Sequence, residues 1–294
     1  AFAPGSGRES WGWTWMLRTE GMYRRVLTMQ DISCVGQCSA TVALPILSAC
    51  GMEACILPTA LLSTHTGGFG KPAVVHFDGA LTDIWHHWLE NGITFDAILV
   101  GYLGGLAAVK AAGEIIDRLL APGGVAIVDP AMADNGKLYS GFDEEYARSI
   151  GALAERADVI LPNVTEAAIL SGLPYQAKID INYVNHLLNG LHHPCAVLTG
   201  VDFAEGGIGV VLREGTVQQE YRHKRIGKGC HGTGDIFAAV FTGALMQGKN
   251  RLDAAKIAAD FTCRCIENTV NAPAHWYGVK FEPLLPELME MLGQ

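Results

Sequence analysis

Two predominantly apolar runs of strand length, 95–100 and 125–128, constrain this chain more than any other feature. Neither alternates apolar with polar residues, which is the pattern of a strand covered on both faces in a parallel sheet. Between them, Leu106, Val109, Ile116, Leu119 and Leu120 mark one face of a helix, and Lys110, Glu114, Asp117 and Arg118 mark its wet side. A buried strand, a crossover helix and a second buried strand require a helix-covered sheet.

The alternation extends over the chain from about Met22 onward. Strands are expected at 25–30, 54–58, 159–161 and 196–199, with a hairpin at 207–212 and 216–221 around Glu214 and Gly215. Helices are expected at 39–49, around Tyr146, Ile150 and Leu153 after an acidic start at 143–145, and at 232–247 and 251–268. Phe281, Leu284, Leu285, Leu288 and Met291 mark a last amphipathic helix. The fold class is α/β, a mostly parallel central sheet with helices on both faces. Ligands in such folds bind at the carboxyl ends of the strands. Polar residues fall there: Gln30-Asp31, Gly101-Tyr102, Asp129-Pro130, Pro162-Asn163 and Thr199-Gly200.

The charge balance narrows the ligand class. Lys and Arg total 21 against 30 Asp and Glu, so no basic field exists to hold a nucleic-acid backbone. An anion must be held locally, by backbone N–H groups and a metal. Residues 32–52 carry no charge and are long enough to span a bilayer. Their Ser33, Gln37, Ser39, Thr41, Pro45 and Ser48 instead mark a buried strand, turn and helix, and no membrane association is expected. Residues 1–21 have no apolar signal core and read as a leader, disordered or non-native, with one domain over 22–294. Without an export signal, the 8 cysteines suit a reducing cytoplasm, and none has zinc spacing. His86-His87 and His192-His193 read as surface pairs, since neighbours on a helix diverge.

The most informative stretch is 227–235, GKGCHGTGD, ahead of an apolar helical run. Gly227, Gly229 and Gly232 satisfy G-x-G-x-x-G, but the basic YRHKR before them and their late place in the chain do not suit a dinucleotide fingerprint. No P-loop signature is present. Gly232, Thr233 and Gly234 open a helix whose first N–H groups can point at an anion. Asp235 beside them suits a general base acting on a hydroxyl near a γ-phosphate. The plain alternative is a glycine turn in which Asp235 stabilises the first helical turn. Asn163 to Glu166 also reads two ways, as a site or as an N-cap with Glu at N3 of a capping box.

Taken together these residues resemble a known family. HGTGD before a small-residue helix resembles the anion-hole motif of the ribokinase-like superfamily. Asp129-Pro130-Ala131-Met132 resembles the D-P-V-M stretch of the vitamin B6 and hydroxymethylpyrimidine kinases, and Asn163-Val164-Thr165-Glu166 resembles their N-x-x-E motif. Gly101-Tyr102-Leu103-Gly104 and Ser63-Thr64-His65-Thr66 resemble segments of pyridoxal kinases. The resemblance implies a ribokinase-like three-layer sandwich with pyridoxal or pyridoxamine kinase activity. It implies Asp235 as catalytic base on the substrate hydroxymethyl oxygen, with the Gly232, Thr233 and Gly234 amides stabilising the transferred phosphoryl group. Asp129, Asn163 and Glu166 would lie around ATP and a Mg²⁺ that Asp129 and Glu166 hold through water. Thr199 and Gly200 would lie along ATP, and Asp31, Ser33, Thr66 and Tyr102 on the pyridine ring. ATP and Mg²⁺ are the implied cofactors, K⁺ a candidate monovalent ion, and a cytoplasmic homodimer the implied assembly.

The chain also departs from the family pattern. Many pyridoxal kinases have Ser where Asp31 stands, their H-x-x-G-N segment is here CVGQCS at 34–39, and Gly67 follows Thr66. Asp31 can pair with a protonated amine or ring nitrogen and so shift preference among the vitamers. The glycine-rich loop at 63–70 is a candidate lid. Cys230 reads either as a passive lid residue or as a low-pKa thiol near Lys228. A hydroxymethylpyrimidine kinase of thiamin biosynthesis and a non-catalytic vitamin-binding protein of the same fold remain the alternatives. A nicotinamide-dependent oxidoreductase lacks its early fingerprint.

Overall fold

A computed structural model describes residues 23–203, 207–227, 230–272 and 274–294. The leader reading at 1–21, Met22, Lys228 and Gly229 lie outside the described residues. The first half of the chain forms β1 (Arg25–Ser33), α1 (Ala40–Ala49), β2 (Glu53–Leu62), β3 (Val74–His76), α2 (Asp78–Glu90), β4 (Phe95–Val100), α3 (Leu106–Leu119) and β5 (Leu120–Val128). A small ribbon follows, β6 (Ala133–Asp134) and β7 (Lys137–Leu138), then α4 (Glu144–Ala154), β8 (Val159–Ile160), α5 (Val164–Ser171) and α6 (Ile181–Gly190). The chain ends with β9 (Cys195–Asp202), β10 (Ile208–Glu214), β11 (Val217–His223), α7 (Thr233–Met246), α8 (Arg251–Val270) and α9 (Leu285–Leu292).

The sheet order is β11-β10-β9-β8-β5-β4-β1-β2-β3. The strands from β9 through β2 run parallel, and β3, β10 and β11 add antiparallel edges. Alternate residues of the parallel strands feed two separate cores, as period-2 geometry requires. Ala97 and Leu99 of β4 join Ile127 and Val197 in the core under α1, α7, α8 and α9. Ile98 and Val100 join Ala126, Val128 and Leu198 in the core under α2 to α6, where Phe95 also lies, ahead of the register irregularity between Phe95 and Ala97. The expected class, a mostly parallel sheet covered on both faces, is the observed one.

The first strands run further than the sequence suggests. β1 continues through Asp31 to Ser33, and β2 continues past Pro58 to Leu62. The register between them shifts between Gln30 and Ile32, so the polar residues that looked like a strand end sit at an irregularity inside it. Thr199 and Gly200, expected at a strand end, lie inside β9, which runs on to Asp202. His193 is not a surface residue. It is 8% exposed, its Nε2 facing Ala157 O (3.0 Å) and its Nδ1 accepting from Cys195 N–H (3.2 Å). His192-His193 follows α6 rather than lying on it, so the helix argument for that pair does not apply.

Candidate active site

The winding of the sheet reverses between β1 and β4, since β1 pairs with β2 on one side and β4 on the other. Such a switch point leaves a crevice at the carboxyl ends of the two strands. Here the Asp31 N–H donates to Tyr102 O (3.2 Å), tying the two ends together at the crevice. A cavity of about 660 Å³ opens there. Its walls bring together every candidate named from the sequence: Asp31, Ser33, Thr66, Tyr102, Asp129, Asn163, Glu166, Thr199, Gly200, Gly232, Thr233, Gly234 and Asp235.

At one end lies Asp31, only 3% exposed. Ser33 Oγ donates to its Oδ2 at 3.0 Å. Burial pushes the Asp31 carboxyl up, and the groups opposing that rise are Ser39, Ser33 and a backbone N–H, with no cation among them. Tyr102 stands beside it, its hydroxyl raised by burial and then by the Asp31 charge.

In the middle, α7 starts on Gly232, whose φ of 86° and ψ of 0° are left-handed. A Cβ at Gly232 would lie 2.2 Å from the Gln37 carbonyl oxygen, so the close approach also requires glycine. No side chain caps this helix, which leaves its first N–H groups open to an anion in the cavity. Asp235 sits in the first turn and accepts from the Ser39 N–H. Burial pushes its carboxyl up to about 7, with the Asp31 charge adding and the Ser39 bond opposing. A carboxylate poised there matches the protonation state a general base needs near neutral pH.

Asp129 follows β5, its N–H donating to Val100 O (2.9 Å). Burial and then the charge of Asp235 raise its carboxyl to about 8. Glu166 is 2% exposed and completes a capping box on α5. Its Oε2 accepts from Asn163 N–H (2.8 Å), its Oε1 from Met132 N–H (3.2 Å), and Asn163 Oδ1 accepts from Glu166 N–H (3.0 Å). The two readings of this motif therefore coexist, since the capping box also presents the carboxylate to the cavity. Burial and then the charge of Asp129 raise Glu166.

This donor set bears on a cation. Among the described residues, no three His, Cys, Asp or Glu side chains stand close enough together to cage a metal. The Glu166 oxygens and the Asn163 amide are already engaged by backbone groups. What remains is a group of mutually repelling carboxylates, which fits a hydrated Mg²⁺ held by one or two carboxylates and by phosphates.

Besides Thr199 and Gly200, the cavity wall carries Ile208 and Val210 of β10, His223 to Ile226, and Ala259, Thr262, Cys263 and Ile266 of α8, a mixed apolar and basic surface. No sequence motif marks these residues, because single side chains from separate elements leave no local signature. Tyr139 and Asp134, which also line the cavity, had a usable signal. Asn135-Gly136 is a hairpin turn dipeptide, and it forms the β6–β7 turn that leads Tyr139 back, its N–H donating to Met132 O (2.9 Å). Burial pushes the Cys230 thiol up, against the low-pKa reading.

The raised carboxylates set a pH dependence. Asp129 and Asp235 hold their protons more tightly folded than unfolded, where a carboxyl titrates near ~3.9. Their contribution to stability is thus fully present below about pH 4 and is lost as pH rises through 7 to 8. Ligand-free protein should melt several degrees lower at pH 9 than at pH 6, at roughly 2–4 °C for each kcal/mol lost, and Mg²⁺ should restore part of the difference at pH 9. Scanning calorimetry with and without Mg²⁺ checks this, and a flat profile contradicts it.

A model of the phosphomethylpyrimidine kinase family matches residues 44–279. The chain belongs to that family. It is similar over 91% of its length to the crystal structure of pyridoxal kinase from Lactobacillus plantarum, with 34% identity, a TM-score of 0.84 and 97% of that chain covered. It is 27% identical over 259 residues to the pyridoxine/pyridoxal/pyridoxamine kinase of Bordetella bronchiseptica, covering 84% of this chain and 90% of that protein. Pyridoxal kinase from Leishmania donovani, solved with ADP and pyridoxamine, shares the fold at a TM-score of 0.80 and 21% identity, over 90% of this chain and 95% of that one. The family member described here has the ribokinase-like fold and is a phosphotransferase with an alcohol acceptor.

Proposed function

We propose that the chain transfers the γ-phosphoryl group of ATP to the 5′-hydroxymethyl oxygen of a vitamin B6 vitamer. One observation carries this reading: Asp235 and the open amides of Gly232 to Gly234 face the same cavity as the buried polar pair Asp31 and Ser33. In the reaction, Asp235 takes the hydroxymethyl proton, the oxygen bonds to the γ-phosphorus, and the bond to the leaving ADP breaks. The helix amides stabilise charge on the transferred group at no cost in reorganisation. Asp129 and Glu166 would hold a hydrated Mg²⁺, which supplies charge neutralisation on the phosphates. Thr199 and Gly200 lie along ATP, with the apolar side chains of β10 and α8 around its base. Asp31, Ser33, Thr66 and Tyr102 hold the ring.

A fold-mate that binds ADP and pyridoxamine supports this arrangement. A cytoplasmic homodimer and a K⁺ requirement belong to the same proposal. Among the described residues no disulfide joins the cysteines, and no helix is long and apolar enough to cross a membrane. Similarity to hydroxymethylpyrimidine/phosphomethylpyrimidine kinases supports a second acceptor, hydroxymethylpyrimidine.

The test is ADP formation with pyridoxal, pyridoxamine, pyridoxine and hydroxymethylpyrimidine, each with and without Mg²⁺. Mg²⁺-dependent turnover of a B6 vitamer is expected, and turnover of the pyrimidine alone transfers the mechanism to the second acceptor. In the same panel, Asp31→Ser should change the relative kcat/KM of the vitamers by about 10-fold or more, the worth of a hydrogen bond to a charged group. Unchanged ratios would remove Asp31 from substrate selection.

A further inference from the structure

Residues 275–278 line no part of the cavity, yet they hold segments that do. His275 Nε2 donates to Gln37 Oε1 (2.7 Å), and Gln37 Nε2 donates to Glu282 Oε1. Gly278 lies so close that a Cβ there would meet the Gln37 backbone nitrogen at 3.0 Å. The carbonyl of this same Gln37 is the atom against which Gly232 is seated. On the other side, Tyr277 O accepts from His65 Nε2 at 2.6 Å. A carbonyl only accepts, so Nε2 carries the proton and Nδ1 is free to accept from the Gly67 N–H (3.0 Å). Phe69 packs on Trp276 at 4.7 Å and on Tyr277 at 5.8 Å. His65 is 5% exposed, and its ring lies 4.9 Å from that of His231, next to Gly232.

One short segment therefore grips both the turn that abuts the anion hole and the loop that carries Thr66. We infer that 275–278 is a positioning strap, with His275 and Gln37 as positioning residues that set the α7 N-terminus against the substrate loop. The inference rests on the cavity being a phosphoryl-transfer site. Transfer of this kind depends on placement, and a displacement of about 1 Å can cost ~100-fold in rate. The cavity wall around Ile208, Cys263 and Ile266 is built from other elements, so the strap is expected to act on kcat rather than on KM for ATP.

The experiment compares wild type with His275→Ala, His275→Gln and Gln37→Ala, using whichever acceptor the wild type phosphorylates. His275→Ala and Gln37→Ala should lower kcat by about 10- to 100-fold, with KM for ATP unchanged. His275→Gln, which keeps an N–H donor, should recover most of the rate. Hydrogen exchange at the amides of 34–38 and 63–70 should quicken in His275→Ala, and this readout does not depend on the acceptor. Unchanged exchange in those segments overturns the strap, as does a kcat equal to wild type or a loss that His275→Gln does not rescue. A wild type inactive on every acceptor overturns the functional reading instead, and the exchange result still decides the strap.

Discussion

Asp235→Asn should lower kcat by about 10²–10⁴-fold, the worth of a positioned general base, while affinity for ATP and for the acceptor changes little. The carboxylate stands in the first turn of α7 with its proton affinity raised to about 7. The amide keeps its shape and its bond from the Ser39 N–H, so only the capacity to take a proton is lost. The same substitution removes the like charge that, after burial, raises Asp129. The variant should therefore melt no lower than wild type above pH 7, and its melting temperature should depend less on pH. Steady-state kinetics, equilibrium binding and calorimetry on one preparation separate these effects. A variant with near-wild-type kcat contradicts the assigned role, whereas one that loses both binding and stability shows a structural one.

Gly232→Ala should be the most damaging small substitution in the site. The backbone is left-handed there, which costs a residue with a Cβ about 1–2 kcal/mol. The added carbon would also lie 2.2 Å from the Gln37 carbonyl oxygen, a separation that only backbone movement relieves. That movement displaces the N–H groups offered to the phosphoryl group, and loss of one such donor costs about 10²–10³-fold in kcat. The expected variant folds with a lowered melting temperature and loses at least ~100-fold in turnover. Gly234→Ala is the comparison, because a Cβ there meets nothing nearer than Asp129 Oδ2 at 3.8 Å. Equal turnover in the Gly232 variant and wild type contradicts the anion-hole assignment.

The sheet was legible because its central strands are predominantly apolar, and burial on both faces suits them. Motifs at strand ends were legible for the same reason, since 101–102, 129–130 and 162–163 follow such strands. Other elements were harder. α2 buries only Leu81 and Trp85, too narrow a stripe to stand out among Trp and His neighbours. α6 did carry a signal, with Asp180 capping Tyr183 N–H (2.8 Å) and Tyr183, Val184, Leu187 and Leu188 on one face. Gln30-Asp31 read as the end of β1 because polar residues normally close a buried strand, yet here Asp31 lies inside the strand, at a register shift beside the cavity. His65, read only as part of a loop, owes its place to Tyr277, more than two hundred residues away in the chain. No local pattern records a contact of that range.

The mass spectrum of the acceptor, after incubation of the wild-type protein with ATP, Mg²⁺ and each vitamer or hydroxymethylpyrimidine, reads the transfer itself. One vitamer is expected to gain a single phosphoryl group on its 5′-hydroxymethyl oxygen, with one ATP consumed for each, and Asp235→Asn to yield at least ~100-fold less in the same time. ATP turned over without a phosphorylated vitamer, or phosphorylation confined to hydroxymethylpyrimidine, would contradict the proposed function.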